Sequence, residues 1–439
     1  MKKFISLLMM LVLVLSLAAC GAKEDTKETI KTDSTDGTVE ETTTDVQEEP
    51  EDVVLDFLWF SDGVETQVME EIMENYKEEN PHVSFNLIEV AFDDLDAKLK
   101  TMIAGGNAPA LARITNPGLL FNQSIDIAPA LGGYDAVTSQ YMDSLKPYYS
   151  KDGKVYGVPM DVTANGMIYN KSLFAEAGVE VPASSSDIWT WDEFEVAIQT
   201  VVDKTDAKYG LLWDFSPHRW STLMYEFGGQ FINDEGTKAT VNSPEAIAAL
   251  QYFVDLHKKG IIPESIWLGG ENPNNLFRSG TAAAHVSGNW MVSSYRDIEA
   301  FDWGVTYMPI AKNRASVPGG KYLMAFKESD VEEEATKFIG YFMSKENTGK
   351  YCSESFFLSP RLDNADLSYE FGGEMFTIFS DELANTPQSA ASDWSKQDII
   401  PVVYSDIKEA IVEAILGSMT PEEAFNDLAD TINGAIEDK

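Results

Sequence analysis

From Val53 onward, short apolar runs alternate with helix-spaced segments, and this alternation constrains the fold more than any other feature. VVLDFLWF (53–60) is nearly continuously apolar, as suits a strand covered on both faces. Val64, Val68, Ile72 and Tyr76 then recur at helical spacing, and Asn80 with Pro81 stops that helix. HVSFNLIEV (82–90) reads as a second strand, and Leu95, Leu99, Met102 and Ile103 mark a second helix. ALARI (110–114) is a third apolar stretch. This order predicts parallel βαβ units and an α/β fold.

The segment before that alternation has a different job. Lys2 and Lys3 precede an apolar core, Leu7 to Leu15, too short to span a bilayer, which takes about 20 apolar residues. Charge, length and the small residues Ala18 and Ala19 read as a secretory signal over 1–19. LAACG resembles a bacterial lipobox, which implies lipidation of Cys20 and anchoring to the outer face of the cytoplasmic membrane. Residues 20–52 follow as a lipidated cysteine and an acidic tether. Twelve acids and three lysines in 21–52, with no aromatic residue, cannot bury enough apolar surface to offset their ordering entropy.

The whole chain carries a formal charge of -40, which repels phosphate backbones and argues against nucleic acid as a partner. With Cys20 consumed by lipid, Cys352 has no partner for a disulfide and reads as a buried small hydrophobe. The four histidines lack zinc-motif spacing, so neither a metal nor a cofactor is expected. Further along, Thr190 with Glu193 opens a helix at Trp191 through a capping box. Ser243-Pro244 starts another that ends at Gly260. A third helix covers about 331–343, and Thr420 with Glu423 caps the last.

Four blocks carry a family pattern. They are GKVYGVPMDVTANGMIYNKSLFAEAGVEVP (153–182) with WTWDEF (189–194), SPEAIAALQYFVDLHKKGIIP (243–263), GTAAAHVSGNW (280–290) and GGNAPALARI (105–114). In this order the chain resembles extracellular solute-binding proteins of the sugar-transporter type, the maltose-binding superfamily. Ala110 stands where the family's Gly-Asn-Ala-Pro-Asp motif has an acid. The resemblance implies a two-lobed α/β fold of the periplasmic-binding-protein type, closing by a hinge on a ligand in the cleft. It places lobe 1 in 53–161 plus 318–370 and lobe 2 in 165–314 plus 380–439, with a third crossing around 365–385. Pro318-Gly319-Gly320 suits either a close approach in the hinge or an ordinary loop.

A sugar presents apolar ring faces and a rim of hydroxyls, so its binder needs flat aromatics beside charged or amide groups. Trp59 and Asp62 follow the first strand and Asn116 the third, at the sheet edge where open α/β folds bind ligands. Trp59 suits the core equally, and Asp62 could simply cap the next helix. The resemblance points to Asp161 as an acidic ligand contact, to Thr163 at a position that carries a carboxylate in maltose-binding proteins, and to Trp290 as the ring that stacks on sugar. Asn289 beside it could bond hydroxyls. WDFSPHRW (213–220) has no regular period and offers Trp213, His218 and Trp220, against packing under a loop. Trp267, Tyr322, Arg361 and Tyr404 complete the candidates, Arg361 with a lobe-internal ion pair as its alternative.

No nucleophile elbow, phosphate loop or zinc-protease helix is present. The expectation is a non-catalytic, monomeric lipoprotein that captures a carbohydrate and docks on the permease of an ABC importer. A secreted glycan hydrolase, or a surface glycan-binding or chemosensory protein, is the alternative.

Overall fold

The computed structural model describes residues 51–61 and 63–439. The signal segment, Cys20, most of the tether and Asp62 lie outside the described residues. The expected alternation forms as read: β1 (Val53–Trp59), α1 (Glu65–Glu79), β2 (Val83–Glu89), α2 (Leu95–Ala104) and β3 (Leu111–Ile114). Helix α1 buries Val68, Met69, Ile72, Met73 and Tyr76, the stripe that the spacing requires.

These strands join two later ones, β4 (Gly157–Pro159) and β9 (Tyr322–Ala325), in a sheet of order β2-β1-β3-β9-β4. Pairing is parallel between β1 and its neighbours β2 and β3, but β9 runs antiparallel to β3 and β4. The sheet is therefore mixed, where the alternation alone predicts a parallel one. Tyr322, which opens β9, lies opposite Ile114, which ends β3. The returning chain thus enters at the edge where β3 leaves, and must run backward.

A second sheet has the order β8-β5-β7-β6, from β5 (Asn165–Asn170), β6 (Tyr209–Trp213), β7 (Ala282–Gly288) and β8 (Trp303–Thr306). Helices α3 (Trp191–Lys204), α4 (Pro217–Phe227) and α5 (Pro244–Lys258) follow in the same half of the chain. Thr190 and Glu193 form the expected reciprocal cap of α3, with Thr190 N donating to Glu193 Oε2 at 2.8 Å. In the last third come α6 (Glu332–Phe342), α7 (Lys345–Ser355), α8 (Gly373–Ala384), α9 (Gln388–Ser395), α10 (Tyr404–Leu416) and α11 (Pro421–Glu437). Helix α7 packs on α1 beside the first sheet, whereas α8 packs on β5 and β8 of the second.

The passages between the sheets are lashed together. Met160 N donates to Lys321 O (2.8 Å), Val162 N to Leu358 O (2.9 Å) and Thr163 N to Gly319 O (2.9 Å), with Gly319 N returning to Thr163 O (3.0 Å). A Cβ on Gly319 would lie 2.5 Å from Thr163 Oγ1, and one on Gly320 would lie 2.6 Å from Asp161 O. Gly320 is there because two backbones approach too closely for a side chain, and Gly319 leaves room for the Thr163 hydroxyl. Cys352 is buried beneath this ribbon, its thiol donating to Met160 O and pushed up by burial.

Candidate functional site

The ends of β1, β3, β6 and β7 converge on the crossing segments, the edge at which open α/β sheets take ligands. Beyond β1, a Cβ on Gly63 would fall 2.2 Å from Ser293 Oγ, which follows β7. Beyond β3, Gly118 N lies 3.4 Å from Gln397 Oε1, which follows α9. The two halves therefore meet at these ends.

On the crossing itself sits a buried group of charges. Arg113 at the end of β3 donates to Phe60 O at 2.6 Å, with its Nη2 3.5 Å from Glu65 and 3.8 Å from Asp161. Its guanidinium lies over Phe60 (4.3 Å) and Trp59 (5.0 Å). Asp161 Oδ1 accepts from Lys321 N at 3.1 Å. Burial pushes the Asp161 carboxyl up, against the pull of the Lys321 and Arg113 cations.

A second charged group lies beyond β6. Asp214 accepts from His285 Nε2 (2.7 Å) and Ser287 Oγ (2.9 Å), both on the adjacent β7, and Arg219 Nε lies 2.9 Å from it. Burial works to raise the Asp214 carboxyl, but His285, Arg219 and Ser287 outweigh it and hold it below the usual range.

Trp290, half-buried beyond β7, joins the two groups. Arg219 lies 4.5 Å from its ring centroid and Lys321 Nζ 6.0 Å. The ring folds back over Gly288, where a Cβ would fall 1.9 Å from Trp290 Cζ3. At the start of α4, His218 Nε2 donates to Pro318 O at 3.3 Å, and its ring meets Trp394 edge-on at 4.5 Å. Burial, then the neighbouring Arg219, push the His218 imidazole down to about 3, so it is neutral at pH 7. Tyr404 OH lies 3.0 Å from Ser216 Oγ, and its ring packs on Trp394. The arrangement offers a flat aromatic face beside cationic, imidazole and phenolic hydrogen-bonding groups.

Of the expected residues, Trp290, His218 and Tyr404 come together here, with Thr163 and Asp161 on the crossing behind them. Asn116 is half-buried beyond β3, its amide 3.4 Å from Thr115 Oγ1. Others belong elsewhere. Trp59, Trp213, Trp220 and Trp267 are fully buried core. Trp59 donates to Thr66 Oγ1 (3.0 Å) and Trp267 to Trp213 O (3.2 Å), while Trp220 packs against Phe253 and Phe425. A tryptophan at a strand end or in a helix gains more by packing than by exposure.

Asn289 is fully buried and turns its amide to the backbone, accepting from Ala164 N (2.9 Å) and donating to Phe356 O (3.3 Å). Arg361 is the lobe-internal clamp of its alternative reading, paired with Asp363 at 2.8 Å and bonded to Met343 O. Tyr322 is buried within β9, stacked on Tyr148. Sequence reasoning missed Arg219, Lys321 and Trp394. The first stands inside the quoted WDFSPHRW cluster, and the second directly follows the glycine pair.

Residues 71–391 match the family described as bacterial extracellular solute-binding proteins. The chain belongs to this family. It is similar to the maltotriose-binding protein of Pyrococcus abyssi, at 24% identity over 80% of this chain and 78% of that protein. It is also 24% identical to the arabinooligosaccharide-binding protein of Halalkalibacterium halodurans, over 86% of this chain and 89% of that one. In fold it is similar to an ABC substrate-binding protein from Listeria monocytogenes solved in complex with cycloalternan. That match has a TM-score of 0.75 and 24% identity, and covers 88% of this chain and 99% of that one. The family fold is two-lobed α/β, and its members are binding proteins that work outside the cytoplasm. Among the described residues no helix is long and apolar enough to cross a membrane.

Proposed function

We propose that this solute-binding protein captures an oligosaccharide between its lobes and delivers it to the permease of an ABC importer. The observation that carries the reading is Trp290, a half-buried ring beyond β7 with the cations of Arg219 and Lys321 set against it. That pairing of flat apolar face and directed donors suits a sugar better than an apolar or purely ionic solute. The sugar-binding names of relatives spanning most of the chain support the same class. Lobe 1 comprises 53–161 plus 318–370 and lobe 2 comprises 165–314 plus 380–439, a division in keeping with the membership of the two sheets. Trp290, His218 and Tyr404 contact the ligand, with Asn116 and Asp62 contributed by lobe 1. Asp161 and Thr163 serve on the crossing.

The protein acts without catalysis, as a monomer tethered through lipid on Cys20. The acidic stretch between Cys20 and Val53 spaces the binder from the membrane. A thermal-shift screen over mono- and oligosaccharides, polyols, amino acids and peptides tests the ligand class, since a ligand that binds only the folded state raises the melting temperature. Stabilisation by amino acids or peptides alone would sink the carbohydrate assignment. Cleavage of a stabilising sugar would sink the non-catalytic one. Mass spectrometry of the mature N-terminus tests Cys20; an unmodified cysteine removes the anchor.

A further inference from the structure

Arg219 is held with more care than a surface ion pair needs. It stands in the first turn of α4, with Nε 2.9 Å from Asp214 Oδ2. Asp214 is itself fixed by His285 and Ser287 on β7. The guanidinium lies over Trp290 at 4.5 Å, and the side chain is 28% exposed. Arginine pairs most strongly with a carboxylate when two of its nitrogens share the two oxygens. Here Asp214 stands beside Nε as a charge partner without the geometry of a hydrogen bond, and the terminal nitrogens Nη1 and Nη2 have no acceptor among the described residues.

Arginines elsewhere in the molecule that serve structure look different. Arg361 sets Nε and Nη2 on Asp363 and Nη1 on Met343 O, and Arg314 spans Asp381 and Glu382. Arg219 instead presents the end of its fork beside the ring proposed to stack on sugar. Stacking on Trp290 and pairing through Nε already restrict its rotamers, so little further ordering is lost when the fork bonds a ligand.

We infer that Arg219 is a ligand-contacting residue that donates from Nη1 and Nη2 to a pair of neighbouring sugar oxygens lying along the edge of Trp290. Asp214 is its positioning residue. Two adjacent ring hydroxyls or a uronate carboxylate supply the same acceptor pair. The inference rests on the carbohydrate reading above.

The test takes the carbohydrate that most stabilises the full-length protein and measures Kd by calorimetry for wild type, Arg219→Met and Arg219→Lys. Arg219→Met should bind about 10–100-fold more weakly, the worth of hydrogen bonds to a charged group. The ligand-free melting temperature should stay within a few degrees of wild type. Arg219→Lys keeps the charge without the fork and should recover only a small part of the loss.

A deoxy series of the same sugar separates contact from architecture. At one or two positions the wild type should lose affinity on removal of the hydroxyl, and Arg219→Met should show no further loss there. Neutral and uronate forms, compared in parallel, tell which oxygen pair is used; the form that Arg219→Met penalises more is the natural one. Unchanged or tighter binding by Arg219→Met overturns the inference, as does an equal loss across the whole deoxy series. Either outcome leaves the carbohydrate reading standing. If no carbohydrate binds the wild type, that reading falls and takes this inference with it.

Discussion

Gly288 offers a way to disturb Trp290 without changing it. A methyl group at 288 would lie 1.9 Å from Trp290 Cζ3, 2.3 Å from Cη2 and 2.5 Å from Cε3. Carbon atoms rest at about 3.5–4.0 Å, so in Gly288→Ala the clash must open by roughly 1.5–2 Å. The strand cannot supply that motion, because Gly288 is paired with Asn165 in the ladder of β5 and β7. The indole has to swing away. It then leaves Arg219, losing a cation–π contact worth about 0.5–2 kcal/mol, and it leaves the place where a sugar ring would stack.

Overpacking of this kind costs about 1–3 kcal/mol of stability, which a folded lobe should survive. Calorimetric Kd values for wild type, Gly288→Ala, Trp290→Ala and the double variant decide the matter. Gly288→Ala should weaken binding about 10–100-fold, close to Trp290→Ala. The double variant should be no worse than Trp290→Ala, since without the indole there is nothing to displace. Wild-type affinity in Gly288→Ala, or additive losses in the double variant, would refute the placement of the ring in the site.

Other tests address the rest of the molecule. His257 is buried in α5 with Nδ1 bonded to Phe253 O at 2.9 Å, and burial pushes it down to about 4 from its ordinary 6.5. Its contribution, up to about 3 kcal/mol, is present above pH 6.5 and lost as pH falls through 4, so His257→Gln should flatten the fall of urea stability in that window. Glu382 moves the other way: burial, only partly offset by Arg314, raises it to about 7. Its contribution, about 3 kcal/mol, is full below pH 4.5 and lost as pH rises through 7, and Glu382→Gln should remove that slope. Thr190→Ala should cost about 1 kcal/mol in thermal or urea unfolding through loss of the α3 cap, with ligand affinity unchanged. Gly319→Ala should drive its methyl into the Thr163 hydroxyl and lower the melting temperature, and adding Thr163→Ala should restore part of it.

The elements were legible wherever local chemistry decides them. The stripe from Val64 to Tyr76, the Thr190–Glu193 box and the Ser243–Pro244 start each name their helix, and all three form. Strand direction was not legible. Tyr322 opens β9 opposite Ile114 because the chain returns from the second sheet, a fact about residues more than 200 positions apart. The tryptophans show the same divide at the site. Trp213, Trp220 and Trp290 all sit near polar residues in sequence, yet only the last is partly exposed. What separates them is tertiary: Phe253 packs against the first two, while a glycine at 288 leaves the third room to lie across a strand end.

Polar residues near the crossing divide along a related line. A pattern of acids, amides and hydroxyls at strand ends reads as ligand contact, but a hinge made of three chain passages has its own buried donors and acceptors to satisfy. Asn289 bonds Ala164 and Phe356, Thr163 pairs with Gly319 through its backbone, and Asp161 bonds Lys321. These residues stand at the sequence positions expected of ligand groups and also serve the passages, Asn289 and Asp161 through their side chains and Thr163 through its backbone alone. The side chains that the sequence pattern underrates sit on helices: Arg219 in the first turn of α4, inside the WDFSPHRW cluster, and Trp394 in α9. Contact with a sugar and service in the hinge therefore draw on the same residue types. Which task a residue performs follows from whether its polar atoms are already bonded to the crossing backbones.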